Sequence, residues 1–134
     1  MANEATLVFE TSKPIPFTVA NGTGIEKGSL LKMTDPFTAI INSATLNDIA
    51  GIAAEEKIAS DGKTTLGVYR TGIFKMTLSG SCTVGDALCN DASVNMVKRA
   101  AQNLSGSKCL GYALETGATG ETILVELKIG GTPA

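Results

Sequence analysis

A chain of 134 residues is the size of one domain and buries enough surface to fold without disulfide or metal staples. Its net charge of −2 comes from sparse charges of both signs, so no basic face tracks phosphate and nucleic acid is not an expected ligand. Aromatic residues make up 4% of the chain, and Trp and His are absent, which leaves few platforms for stacking sugars or bases and removes the commonest general base and metal ligand.

Residues 1–13 lack the basic-then-apolar pattern of a secretory signal, and no apolar run approaches the roughly 20 residues of a membrane span. The expectation is a chain that stays in the cytoplasm where it is made, with no membrane partner. Alternation in this segment puts Leu7, Phe9 and Thr11 on one face of an extended strand and Thr6, Val8 and Glu10 on the other. Pro14 and Pro16 then fix the backbone and withhold two donors, which sets residues 1–13 off as an arm from a single β domain spanning 14–134. Such an arm either adds to a neighbouring sheet edge or pairs within its own barrel.

From Ile15 onward, turn residues fall every eight to twelve positions and the stretches between them alternate or run apolar, the rhythm of a small barrel or sandwich. The predicted strands are Ile15 to Ala20, Ser29 to Thr34, Phe37 to Asn42, Ile49 to Ala54, Thr64 to Arg70, Gly72 to Leu78, Ala87 to Cys89, Ser93 to Lys98, Lys108 to Leu114 and Thr122 to Ile129. In the last of these, Ile123, Val125, Leu127 and Ile129 share one face, as a half-buried strand requires. Thr34-Asp35-Pro36-Phe37 reads as a hairpin turn with Pro pre-setting φ. Between Asp91 and Ser105 a second reading stands beside the strand, because Val94, Val97, Ala101 and Leu104 recur at helical spacing.

Three anchors repeat in the same order and at nearly constant offset, which divides the chain into two related halves. Ile25-Glu26-Lys27-Gly28-Ser29-Leu30-Leu31 answers to Thr83-Val84-Gly85-Asp86-Ala87-Leu88. Ala50-Gly51-Ile52-Ala53-Ala54-Glu55 answers to Leu110-Gly111-Tyr112-Ala113-Leu114-Glu115, and Gly62 to Leu66 answers to Gly120 to Leu124. On this alignment Ser93 to Lys98 lies opposite Phe37 to Asn42, which favours strand there, while the segment before Pro14 and the link from Gly72 to Ser81 have no counterpart.

The chain offers little catalytic chemistry. Lys63 in Asp61-Gly62-Lys63-Thr64 imitates the end of a phosphate loop, but the Gly that loop needs falls at Lys57, so Lys63 reads as a turn residue. Asn21-Gly22-Thr23-Gly24 lacks dinucleotide spacing and reads as a turn. Glu55 and Glu56 would point to opposite faces if the strand continues through them, and Cys82, Cys89 and Asp86 would mix soft and hard ligands with no fourth partner. Cys82, Cys89 and Cys109 are odd in number and unpaired in spacing, and read as reduced structural thiols. The sequons at Asn21 and Asn103 carry no weight without secretion. No cofactor or metal is expected, and the chain does not read as an enzyme.

Ile15-Pro16-Phe17-Thr18-Val19-Ala20 followed by Gly24-Ile25-Glu26-Lys27-Gly28-Ser29-Leu30-Leu31 resembles the opening of the capsid decoration, or cement, proteins of tailed bacteriophages. Ala50 to Lys57, Val68 to Phe74, Val84-Gly85-Asp86 and Gly111 to Glu115 resemble that family's later blocks, so the likeness runs from Pro14 to Ile129. It implies an all-β, barrel-like structural protein on the virion capsid surface, bound to the major capsid protein, associated as a homotrimer, and stiffening the shell. In that setting Leu7, Val8, Phe9 and Thr11 become the candidate capsid-binding residues of the arm. The alternative is a head-fibre, host-surface or carbohydrate-binding β module, since small barrels carry such sites on loops.

Overall fold

Strands form where the sequence alternates or runs apolar. The computed structural model describes residues 3–42, 48–91, 95–100 and 109–129, and these contain strands and turns with no helix. An opening strand β1 (Thr6–Phe9) precedes β2 (Ile15–Thr18), β3 (Leu30–Asp35), β4 (Thr38–Ile41), β5 (Ile49–Ala53) and β6 (Thr65–Tyr69). The second half follows with β7 (Thr71–Leu78), β8 (Ala87–Asn90), β9 (Met96–Arg99), β10 (Gly111–Ala113) and β11 (Thr122–Lys128). Each predicted strand has its observed counterpart. The segment between Asp91 and Ser105 is a strand over Met96–Arg99, while the rest of its helical alternative, at 92–94 and 101–105, lies outside the described residues.

Strands β2, β4, β3, β5 and β6 close into a barrel. The order β7, β11, β10, β8, β9 closes in the same way through a β7–β9 pairing. The two halves are topologically equivalent: β2–β4 and β7–β9 are parallel, and the other pairs within each barrel are antiparallel. Loop hydrogen bonds repeat too. Gly28 N–H donates to the Ala53 carbonyl as Gly85 does to Ala113, and Ala54 N–H donates to Gly67 as Leu114 does to Leu124. One expectation is corrected here, because the stretch from Gly72 to Leu78 does have a counterpart. It belongs to β7, the equivalent of β2. The kinship is hidden because β2 is short and holds Pro16, whereas β7 runs eight residues without proline.

The interior of the first barrel is filled by Phe17, Val19, Ile25, Leu31, Ala39, Leu66 and Val68. A second cluster holds Phe74, Met76, Leu78, Leu88, Val97, Ile123, Val125 and Leu127, but also Leu30, Ile49 and Ile52 from the first half. The first barrel thus packs its outer wall against the second. A bulge at Ala50, where Lys32 pairs with Ile49 and Leu31 with Gly51, lets β5 be buried along its whole length. A polar seam locks the junction: Leu30 N–H donates to Asn95 Oδ1 at 2.9 Å, Asn42 Nδ2 to the Asp91 carbonyl at 2.9 Å, and Asn90 Nδ2 to Asn42 Oδ1 at 2.6 Å. Buried hydrogen bonds of this kind favour one relative placement of the apolar surfaces they border.

Candidate interaction surface

Closing a sheet into a barrel removes its edges, so a strand edge left open marks where another chain can pair. Strand β1 stands at the end of the second sheet, antiparallel to β7, with Thr6 opposite Lys75, Leu7 opposite Phe74 and Phe9 opposite Ile73. Of the two outcomes open to residues 1–13, the strand pairs within its own sheet. A bulge between Leu7 and Phe9 breaks the expected alternation, so the two do not share one environment. Leu7 is half-buried against the second core, while Val8 and Phe9 are exposed, Phe9 to 63%. The segment stays tied after the strand. Tyr69 Oη donates to Glu10 Oε2 at 2.8 Å, which raises the Tyr69 pKa above its usual value, and Thr11 Oγ1 donates to Thr71 Oγ1 at 3.0 Å.

A second apolar surface lies at the β3–β4 hairpin. Asp35 pairs with Thr38, leaving Pro36 and Phe37 as the loop, and Phe37 has φ +51°. A bulky L-residue in that region carries a strain of about 1–2 kcal/mol, where Gly or Asn would carry less. Its ring is nonetheless 60% exposed and touches Phe17 at a tilt, with centroids 5.4 Å apart. Ile15, Phe17, Met33, Pro36, Phe37 and Arg70 enclose a hollow of about 330 Å³. Arg70 is held in its wall by Nη1, which donates to the Ala50 carbonyl at 2.8 Å and reaches the Ile49 carbonyl at 3.4 Å. Burial lowers its pKa, but arginine titrates so far above neutrality that the charge stays.

The candidate chemical groups of the sequence are dispersed in structural roles. Glu55 Oε1 accepts from Gly67 N–H at 3.4 Å, and Glu115 Oε1 accepts from Leu124 N–H at 2.7 Å, the same turn contact in each barrel. Lys63 is an exposed turn residue 3.6 Å from Glu55. Asp86 accepts from Thr83 N–H and faces Arg99 at 3.4 Å. The three cysteines are buried and free, and burial is the main cause that raises each thiol pKa. Among the described residues no group of three His, Cys, Asp or Glu gathers in metal-binding range. What sequence reasoning missed is Lys57. Its side chain is wholly buried, and Nζ donates to the Asn21 carbonyl at 2.7 Å, the Ile58 carbonyl at 3.2 Å and Asp61 Oδ1 at 3.3 Å. It pins the turn at Asn21 to the turn at Asp61.

Comparison with solved structures finds the N base of head fibre gp8.5 of bacteriophage phi29, at 17% identity and a TM-score of 0.53, over 85% of this chain and 93% of that one. At that identity the likeness speaks for the fold. No curated protein matches the chain. The model of the phage cement protein family matches from residue 9 to residue 129, through both barrels and across the junction between them. By that match, on an all-β fold also found in a phage head fibre, the chain belongs to the phage cement protein family.

Proposed function

We propose that this chain is a non-catalytic decoration protein that sits on the outside of a bacteriophage capsid, binds the major capsid protein and stiffens the shell. The observation that carries this reading is the family match over both barrels. The fold suits the task. Two closed barrels with a shared apolar cluster give a stiff body, and a nearly neutral surface with sparse charges lets copies crowd a lattice without strong mutual repulsion. The chain is made in the host cytoplasm and acts as a homotrimer, closed rings being the common outcome of self-association.

In this reading residues 1–13 are the contact segment and 14–134 the body it stands on. Leu7 anchors the segment to the core, Val8 and Phe9 face outward to the capsid protein, and Thr11 holds the segment's end against Thr71. The outer edge of β1 accepts a strand of the partner. The test is co-sedimentation with empty shells of the major capsid protein. The double variant Val8→Ser and Phe9→Ser, at exposed positions, is expected to keep the melting temperature within a few degrees and to weaken shell binding at least tenfold. Undiminished binding would remove the segment from the interface, and failure of the unaltered chain to bind any shell would overturn the functional reading itself.

A further inference from the structure

The two barrels are equivalent strand for strand, so a difference between them marks a place where one half does something the other does not. In β2, Thr18 pairs with Thr65 of β6; in β7, Thr77 pairs with Thr122 of β11. Thr18 and Thr77 are therefore equivalent, and by the same register Ile15 answers to Phe74 and Pro16 to Lys75. Beside Phe74 and Lys75 lie Leu7 and Thr6 of β1. Beside Ile15 and Pro16, on the side away from β6, lies no strand among the described residues. The result is visible in burial: Phe74 is 1% exposed and Ile15 is 37% exposed. Ile15, at this uncovered flank of the first barrel, lines the hollow together with Met33, Phe37 and Arg70.

Two features say what kind of group fits there. The walls are apolar apart from one guanidinium, and Arg70 has no carboxylate in ion-pair range among the described residues. Its two contacts are neutral carbonyls bound through Nη1, which orient the group and leave most of its five donors for another acceptor. A half-buried cation beside apolar walls is complementary to a carboxylate carried next to a large apolar side chain, and charge-assisted contacts of this type are the strong ones. The edge itself works against a full strand ladder. Thr18 N–H donates to the Phe37 carbonyl, so Pro16, two residues earlier, turns its nitrogen to the same side and has no hydrogen to give. Recognition here must come through an inserted side chain.

Resting on the functional reading above, we infer that this hollow seats a bulky apolar side chain with an adjacent Asp or Glu, presented by an extended segment of the major capsid protein. The chain would then grip the shell at two points, the β1 face and the uncovered flank of the first barrel. The strain and exposure of Phe37, both unfavourable to the isolated fold, are accounted for if its ring completes the seat for a partner side chain.

The experiment uses the full chain, shells assembled from purified capsid protein, and 15-residue peptides tiling that protein. Phe37→Asn keeps a residue that tolerates positive φ, so the turn should fold and melt within a few degrees of the unaltered chain. It is expected to lower shell affinity at least tenfold. At least one tiling peptide containing an apolar–acidic pair should shift the Met33 methyl and Ile15 methyl signals in NMR spectra, and replacing its Glu or Asp by the amide should weaken binding severalfold. Arg70→Met should make the acidic and amide peptides bind alike. Shells that bind the unaltered chain and Phe37→Asn equally would overturn the inference while leaving the functional reading intact, as would a peptide set that never perturbs these signals. Loss of self-association in Phe37→Asn with undiminished shell binding would assign the hollow to a second copy and likewise overturn it.

Discussion

Gly51 and Gly111 occupy equivalent places in β5 and β10, and both lie where a Cβ has no room. A Cβ on Gly51 would stand 2.1 Å from the Tyr69 carbonyl oxygen and 2.7 Å from Val68 Cγ1, and one on Gly111 would stand 1.9 Å from the Glu126 carbonyl oxygen. Those oxygens are backbone atoms of the neighbouring strands β6 and β11, so relief requires the strand to retreat by about an ångström. Gly51 also has φ +145°, whereas Gly120 combines φ +89° with open space around its Cβ position. Gly120→Ala therefore isolates the conformational strain, about 1–2 kcal/mol. Gly51→Ala adds the loss of one or two ladder hydrogen bonds at about 1 kcal/mol each and a loosened wall of the first core, for a total of about 3–5 kcal/mol. For a chain of this size that is a drop in melting temperature of roughly 10–20 °C, against roughly 3–8 °C for Gly120→Ala. Thermal and urea unfolding followed by circular dichroism measure both. If Gly51→Ala and Gly120→Ala melt within a degree or two of one another, the close strand approach that defines each barrel is not what the glycines serve.

Lys57→Met keeps the buried stem but removes three hydrogen bonds. Each acceptor retains another donor, from Ser60 N–H, Asp61 N–H and Lys63 N–H respectively, so the loss should be about 1–2 kcal/mol. Lys57→Ala also empties the space filled by the stem and should lose about 2–5 kcal/mol; an Ala variant as stable as the Met variant in urea titration would contradict the packing argument. The thiols give a pH prediction. Burial raises the folded-state pKa of Cys82, Cys89 and Cys109, so the folded chain holds these protons more tightly than the unfolded one. Their contribution is complete below the unfolded value, about 8.5, and is lost as pH rises towards the folded values. Native protein at pH 8 should react slowly with a thiol reagent and reveal three groups on unfolding, and rapid native labelling or fewer than three groups would refute the assignment.

Strand positions were legible because they depend on local alternation: Ile123, Val125 and Leu127 are buried while Glu126 and Lys128 are exposed, as their spacing requires. The duplication was legible from its turns, since a residue at positive φ such as Gly28 or Gly85 leaves a mark in the sequence. What escaped depends on distant partners. Lys57 reads as a surface lysine until Asn21, 36 residues earlier, brings its carbonyl to the ammonium. The docking of β1 needed the partner strand β7, and the bulge at Val8 then undid the face that alternation assigned to Leu7 and Phe9. The hollow joins residues from β2, the β3–β4 hairpin and the link after β6, so no single window of sequence contains it.

The asymmetry between the halves has a physical logic. An exposed flank on a barrel strand is a hazard in a protein packed at high local concentration, because it invites pairing with the next copy. On the second barrel the chain covers that flank with its own β1. On the first it cannot, since β1 lies against β7 and the intervening segment is tied down by Glu10 and Thr11, and there it places Pro14 and Pro16 instead. Proline denies a ladder to any incoming strand but leaves the side-chain surface open. The flank of β7 is thus covered by β1, which carries the free edge, and the flank of β2 is closed to strands while remaining open to a fitted side chain. On the proposed reading, that combination gives a duplicated, otherwise self-similar body a recognition face on its first half that the second half lacks.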